Sequence, residues 1–253
     1  MQTDPGAWQV AWSPVAVPAG CATSLDETGL VVSSVRIVDT VVSDELSAGL
    51  NQMAGASGWN VLDPGSYKTL LVNGDTMMSD TVGEREECEE AVHLARGDVL
   101  VAGLGLGMII PPILQRCTSL TVIEANPLVY QLVARHYQHP KLSILRADAF
   151  SWEPHRRFDF IWLDIWPDKR IENRQEMAQL VRRYRRHLKP GGRIRSWFQD
   201  ELKATDLFQR SELRRFALFV GRRGPRFVEG YWRAVQRQHL LRLAVAHEEE
   251  RQG

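Results

Sequence analysis

Val-Leu-Val-Ala-Gly-Leu-Gly-Leu-Gly, residues 99–107, is the stretch that decides the fold of this chain. A short apolar run ends in three glycines at alternate positions, Gly103, Gly105 and Gly107. This pattern is typical of a buried parallel strand that leads through a tight loop into a helix, which we expect from Met108 onward. Glycines suit such a loop because they adopt unusual dihedral angles and let a ligand approach the bare backbone.

Predicted strands and helices alternate around this stretch. The strands are expected at 98–103, 120–124, 142–147, 158–164 and 193–198, and the helices at 84–95, 108–115, 127–137 and 174–188. Asn126 is expected to cap the third helix, and the stop signal Lys-Pro-Gly-Gly at 189–192 to end the fourth. The alternation predicts an α/β fold with a doubly wound parallel sheet, whose ligand crevice lies at the carboxyl ends of the strands.

Three regions follow from this reading. Residues 1–80 are expected to form a β-rich lead-in, because 31–42, 69–72 and the Asn73-Gly74 turn have strand and hairpin character, with a loop at 55–58. Residues 81–200 hold the Rossmann-like sheet. Residues 201–253 are predicted to be a helical C-terminal extension, most clearly at 231–247.

Composition limits the class of protein. With 253 residues, 44% of them hydrophobic and 25% charged, the chain has the composition of a globular protein. No stretch reaches the roughly 18 apolar residues of a membrane span, and no secretory signal precedes the first strand. Cys21, Cys88 and Cys117 show neither metal-site nor disulfide spacing. We therefore expect a cytoplasmic protein with no membrane association. No metal is expected either, because Ser196-Trp197-Phe198 at the end of the last predicted strand offers no carboxylate and amide pair to hold one.

Charge is distributed unevenly along the chain. The first 100 residues hold fifteen acids and four bases, whereas residues 169–195 hold ten bases and two acids. A basic half could contact nucleic acid or an acidic partner. We favour a solvated helix face with pairing to the acidic half of the same chain, because no aromatic residues alternate with the arginines.

Acidic residues follow three successive predicted strands. Glu124 ends the second strand about twenty residues past the glycine loop, where an acid accepts hydrogen bonds from a ribose diol. Asp148, followed by Ala149, comes after the third strand and could accept from an adenine amino group. Asp164 ends the fourth strand. Strand ends are often acidic through solvation alone, but three in succession after a glycine loop predict a nucleoside site.

The type of nucleoside site can be narrowed. The dinucleotide fingerprint Gly-x-Gly-x-x-Gly is absent, since Met108 and Ile110 stand where its third glycine would be, and no Gly-Lys-Ser/Thr follows. The chain resembles the class I S-adenosylmethionine-dependent methyltransferases, and most of all their spermidine synthase-like branch, over about residues 69–198. The resemblance rests on five segments, at 71–75, 122–124, 139–142, 147–150 and 158–164.

This resemblance implies S-adenosylmethionine as the cofactor. The loop Gly103–Gly107 would cradle its methionine end, and Glu124 with Ala125 would hold its ribose. Asp148 with Ala149 would hold its adenine.

Departures from the family pattern concern the acceptor side. Ordinary methyltransferases carry an acid two residues before the first glycine, where this chain has Val101, as in the spermidine synthase branch. Aminopropyl transferases of that branch usually have a glutamine near the position of Met77 and Met78. They also have an Asp-Glu-x-x-Tyr segment, which aligns loosely with Gly83–Glu87 but without the tyrosine. Their catalytic aspartate corresponds to Asp164.

Methyl transfer to an unidentified small-molecule or macromolecular acceptor is the leading hypothesis. Asp164 would then orient the acceptor or take its proton, or it is a structural acid at the ribose side. Trp166 would line the sulfonium or simply pack in the core, and Asp168 is a further candidate for substrate contact. The alternatives are aminopropyl transfer from the decarboxylated donor and a non-catalytic relative of the fold. Related proteins with a β-rich lead-in often pair, so a homodimer is also expected.

Overall fold

A four-stranded antiparallel sheet forms the first part of the chain in the computed structural model, which describes residues 12–25, 27, 31–53, 63–168, 170 and 172–199. Its strands are β1 (Gly20–Leu25), β2 (Val31–Val42), β3 (Gly65–Val72) and β4 (Asp75–Ser79), in the order β1-β2-β3-β4. Helix α1 (Asp44–Met53) follows β2. This sheet confirms the predicted β-rich character, although β1 and α1 were not expected.

The turn between β3 and β4 has the predicted hairpin form. Asn73 and Gly74 both have positive φ, at 53° and 87°, which two-residue hairpin turns of the favoured hand require. The Asn73 side chain also accepts a hydrogen bond from the Ser34 backbone at 2.8 Å, which ties the turn to β2.

A five-stranded parallel sheet forms the second part. Its strands are β5 (Gly97–Ala102), β6 (Cys117–Glu124), β7 (Leu142–Arg146), β8 (Phe158–Leu163) and β9 (Leu188–Ser196). The order is β7-β6-β5-β8-β9, and every neighbouring pair is parallel. Strands β6 and β7 lie on one side of β5, and β8 and β9 lie on the other, which confirms the doubly wound α/β fold class.

In the described part of the chain, four helices accompany this sheet: α2 (Val82–Leu94), α3 (Ile110–Leu114), α4 (Pro127–Val133) and α5 (Asn173–Arg185). Helix α4 begins as predicted, because the Asn126 side chain accepts hydrogen bonds from the Leu128 and Val129 amides at 2.9 and 3.3 Å. It ends earlier than predicted and continues as one turn of 3-10 helix at Ala134–His136. Helix α3 also starts later than expected, at Ile110, after a turn.

The prediction that the segment 189–192 ends the fourth helix and precedes the last strand was wrong. Helix α5 ends at Arg185, and the Lys-Pro-Gly-Gly segment lies inside β9. It bulges out between two ladder positions, because Phe158 pairs with Leu188 while Phe160 pairs with Arg193. The proline and the positive φ of Gly191, 78°, fit a bulge on the outermost described strand, where no further ladder partner is present among the described residues.

Two apolar clusters cover the faces of the parallel sheet. One joins Val99 and Val101 of β5 to helices α2, α3 and α4 and extends to Val35 and Leu70 of the antiparallel sheet. The other joins Leu100 and Ala102 to the buried face of α5, formed by Met177, Leu180 and Tyr184. Helices therefore cover both faces, as a doubly wound sheet requires.

No helix among the described residues combines the length and the apolar character needed to cross a membrane. The loop predicted at 55–58 and the helices predicted within 201–253 lie outside the described residues.

Candidate functional site

A cavity of about 330 Å³ opens at the carboxyl ends of β5, β6 and β8, where the sheet order predicts a ligand crevice. Its size is in the range of small-molecule sites. Eight of the residues expected at a site line it: Gly103, Gly105, Glu124, Ala125, Asp148, Ala149, Asp164 and Trp166. The remaining two, Gly107 and Asp168, do not.

Backbone geometry explains why glycine stands at the first two positions of the loop, Gly103 and Gly105. Gly103 has φ 104° and Gly105 has φ 50°, a region that side-chain-bearing residues rarely adopt. A Cβ on Gly103 would lie 1.8 Å from the carbonyl oxygen of Asp164, so the ends of β5 and β8 could not approach as they do. The space beside Gly105 is filled by a side chain, since a Cβ there would lie 2.1 Å from the Met78 sulfur.

Gly107 has a different setting. Its φ is 72°, and a Cβ would overlap the Tyr137 ring at 2.4 Å. The Tyr137 hydroxyl donates to the Leu106 carbonyl at 2.7 Å, and burial raises the pKa of Tyr137 to about 12. The absence of a side chain at Gly107 therefore lets the Tyr137 ring pack against the loop and hydrogen-bond to it.

Glu124 is held in place by the backbone around it. Its Oε2 accepts from the Leu104 amide at 2.9 Å, and its Oε1 accepts from the Asn126 amide at 2.7 Å. Burial raises the pKa of Glu124, and the amide hydrogen bonds act against that rise. The carboxylate is thus fixed at the end of β6 beside the glycine loop.

Asp148 and Ala149 form the turn after β7. The Asp148 Oδ1 accepts from the Phe150 amide at 2.9 Å, which is a side-chain-to-backbone turn. The Tyr184 hydroxyl of α5 donates to the Ala149 carbonyl at 3.0 Å. Burial raises the pKa of Tyr184 to about 12, so this phenol stays protonated and keeps donating over the neutral pH range.

Asp164 lies where β8 ends. Its amide donates to the Ala102 carbonyl at 2.8 Å, which joins the ends of β8 and β5. Its Oδ2 accepts from the Trp162 indole at 3.3 Å. The carboxylate therefore lines the cavity on a rigid strand end rather than on a loop.

Trp166 and Asp168 have local partners. The Trp166 indole donates to Glu176 at 3.1 Å, and its ring meets Phe198 edge to face at 6.3 Å between centroids. It is 6% exposed, so it packs in the core and still lines the cavity. The Asp168 carboxylate pairs with Arg170 at 2.7 Å, outside the cavity lining.

Two acids on α2 also line the cavity and were not predicted as site residues. Glu84 Oε1 accepts from the amide and the hydroxyl of Ser79, at 2.9 and 3.0 Å, and Glu87 accepts from the Trp197 indole at 2.9 Å. Burial raises the pKa of Glu84 to about 8, and the charges of Glu87 and Asp164 act in the same direction. Glu84 therefore carries its proton at neutral pH.

The only sequence signal for these two acids was the loose alignment of Gly83–Glu87 with the Asp-Glu-x-x-Tyr segment usual in aminopropyl transferases. That segment lacks its tyrosine here, so the alignment did not identify them as site residues. Among the described residues, no group of three or more His, Cys, Asp or Glu side chains could hold a metal ion.

The basic helix α5 faces away from the cavity. Arg183 and Arg186 pair with Glu153 at 3.2 and 2.7 Å, and Arg183 also donates to the Ser151 and Trp152 carbonyls. No arginine of α5 lines the cavity. These side chains therefore attach the helix to the loop that follows β7.

Comparisons with known proteins give similarity in structure. No protein-family model and no curated protein sequence matches the chain. The N-methyltransferase NodS from Bradyrhizobium japonicum WM9 is similar at 21% identity and a TM-score of 0.38, over 46% of this chain and 67% of that one. DhpI in its SAH complex is similar at 21% identity and a TM-score of 0.37, over 45% of this chain and 55% of that one.

The glycopeptide N-methyltransferase MtfA is similar at 19% identity and a TM-score of 0.35, over 44% of this chain and 51% of that one. The chain thus spans between about half and two thirds of the length of these three proteins. The function of the chain is inferred below from the geometry of its own site.

Proposed function

We propose that this chain is an S-adenosylmethionine-dependent methyltransferase. One observation carries the proposal: a single cavity is lined by the glycine-loop backbone and by the acids that end or follow three parallel strands, Glu124, Asp148 and Asp164. This arrangement suits a nucleoside, because its ribose hydroxyls and its adenine amino group can each donate to a fixed carboxylate beside the exposed backbone of the loop.

The hydrogen-bond acceptors that line the cavity fit the ribose and adenine of such a cofactor. The Glu124 carboxylate accepts from the Leu104 and Asn126 amides and lines the cavity, which suits it as an acceptor for the hydroxyls of a ribose. Asp148 with Ala149 would hold the adenine edge. Apolar side chains of the same cavity, among them Leu104, Ile123 and Phe150, suit the faces of the ring.

When bound, the cofactor supplies a methyl group on a positively charged sulfur. The residues of the chain would supply position and exclude water, which is a large share of what methyl transfer requires. Asp164 is the candidate to orient the acceptor and take its proton, since its carboxylate is fixed by the Trp162 indole. Trp166 forms part of the wall beside it.

Within this class we propose the spermidine synthase-like branch. Two features support it: an antiparallel sheet precedes the parallel one, and buried Val101 stands where ordinary members carry an acid. Aminopropyl transfer from the decarboxylated donor is the second candidate. Glu87 on the cavity wall favours it, because both the aminopropyl donor and a polyamine acceptor carry amino groups. Cys21, Cys88 and Cys117 form no disulfide, which supports a reducing, cytoplasmic location.

Titration calorimetry tests the proposal with S-adenosylmethionine, its demethylated product S-adenosylhomocysteine and the decarboxylated donor. We expect one binding site per chain, and about tenfold weaker binding for Asp148→Ala, which removes the acceptor from the turn after β7. Glu153→Gln is the matched control, because Glu153 is exposed and lies outside the cavity lining. Absence of binding for all three compounds would contradict the proposal.

A further inference from the structure

Strand β4 carries a bulge beside the glycine loop. Leu70 of β3 pairs with Met78, but the next residue, Leu71, pairs with Thr76, so Met77 is an extra residue in β4. In a regular strand, neighbouring side chains point to opposite faces. The bulge removes this alternation, and both Met77 and Met78 line the cavity.

Met78 lies directly on the loop backbone. Its sulfur accepts a hydrogen bond from the Leu106 amide at 3.0 Å and occupies the space that a Cβ on Gly105 would need. A neutral thioether therefore covers the part of the loop where a donor's amino-acid end would lie.

The contact between Met78 and Leu106 is replaceable. A thioether sulfur is a weak acceptor, whereas a carboxylate oxygen forms a charge-assisted hydrogen bond that is about twice as strong as a neutral one. The methionine side chain has three rotatable bonds and adapts to different packing. A carboxylate at this position would have to displace the sulfur, and a donor without a carboxylate would not.

We propose that Met78 is a specificity-determining residue of the donor site. It occupies the Leu106 amide in competition with the carboxylate of S-adenosylmethionine, and so lowers the preference for that donor over its decarboxylated form. This inference rests on the proposed function, because it assumes that the cavity binds one of these donors.

The test compares dissociation constants for the two donors in three proteins: the unchanged chain, Met78→Ala and Met77→Ala. Met78→Ala frees the Leu106 amide, so the affinity ratio should move about tenfold toward S-adenosylmethionine. Met77→Ala is the matched control, since Met77 lines the same cavity and the Leu106 amide bonds to Met78. In this control the ratio should stay within about twofold.

A second variant and a second measurement keep the test decisive if Met78→Ala does not fold. Met78→Leu keeps an apolar side chain of similar volume but has no acceptor, and it should move the ratio in the same direction. In the free protein, hydrogen exchange of the Leu106 amide should be faster in Met78→Leu than in Met77→Ala.

The outcomes distinguish failure of the proposed function from failure of the proposed role of Met78. If the unchanged chain binds neither donor, the proposed function and this inference both fail. If it binds at least one donor but the ratio is the same in all folded variants, the role of Met78 is overturned and the proposed function stands.

Discussion

At the scale of the single residue, the protonated Glu84 makes stability depend on pH. Its pKa in the folded protein is about 8, raised from an ordinary 4.5 mainly by burial. A raised folded-state pKa gives stability that is fully present below the unfolded pKa and is lost as pH rises toward the folded one. Glu84 therefore destabilises the fold progressively between pH 4.5 and 8.

Glu84→Gln cannot ionise, so it should gain stability over the unchanged protein as pH rises through that window. We expect a difference close to zero at pH 4 and about 4.5 kcal/mol at pH 8.5, measured by urea unfolding across the range. Glu45→Gln, an exposed glutamate in the first turn of α1, is the control and should show little pH-dependent difference. A difference for Glu84→Gln that does not vary with pH would contradict this role.

A comparison of Gly103 with Gly74 distinguishes two costs of adding a Cβ: the strain of a positive φ and a clash with a neighbouring strand. Both have positive φ, at 104° and 87°, but a Cβ on Gly103 meets the Asp164 carbonyl whereas a Cβ on Gly74 meets no atom within 4 Å. Gly74→Ala should cost about 1 kcal/mol of unfolding free energy and Gly103→Ala about 3 kcal/mol or more. Denaturant unfolding measures both, and equal costs would show that the β5–β8 approach does not require the glycine.

At the scale of the element, the bulge in β9 places one lysine between two strands. The Lys189 ammonium lies 2.6 Å from Asp98 and 2.8 Å from Asp159, and its hydrogen bonds lower the pKa of both carboxyl groups. Lowered pKa values give stability that is present above the unfolded pKa and lost as pH falls. The ion pairs therefore stabilise the start of β5 and β8 at neutral pH.

Lys189→Met should remove this stabilisation. Because all three side chains are partly exposed, the loss should be modest, about 3 °C in Tm at pH 7, and it should shrink toward pH 3. Arg186→Met, which breaks a more exposed ion pair with Glu153, should change Tm by about 1 °C or less. Equal effects of the two substitutions at pH 7 would argue against a role for the bulge.

The elements show what sequence patterns can and cannot predict. The parallel strands were predictable because each is a short apolar run between turn signals, as at 99–102 and 158–163. Strand β1 was not, since Gly-Cys-Ala-Thr-Ser-Leu has little β-propensity and becomes a strand by pairing with β2. The Lys-Pro-Gly-Gly segment has every local feature of a helix stop, and only pairing with β8 keeps it in a strand.

The same distinction holds for the site. Glu124, Asp148 and Asp164 were predictable, because the carboxyl ends of parallel strands meet at one edge of a sheet. Met78, Glu84 and Glu87 come from β4 and α2, which reach the cavity through tertiary packing. No local spacing encodes that packing, so these residues could be placed only by the fold.

At the scale of the whole molecule, one apolar core connects the two sheets. Leu70 of β3 is 2% exposed and belongs to the same cluster as Val99 and Val101 of β5. Leu70→Ala should therefore cost about 3 kcal/mol and destabilise both sheets together. Hydrogen exchange followed by mass spectrometry should show equal losses of protection in peptides from β3 and β5. Loss confined to β3 would show that the sheets unfold independently.

A crystal structure with S-adenosylhomocysteine tests the central claim most directly. The account predicts the ribose hydroxyls within hydrogen-bond distance of the Glu124 carboxylate, the adenine edge at Asp148 and Ala149, and the sulfur near Asp164. A complex in which the product lies outside this cavity, or crystals that take up none of it at saturating concentration, would contradict the account.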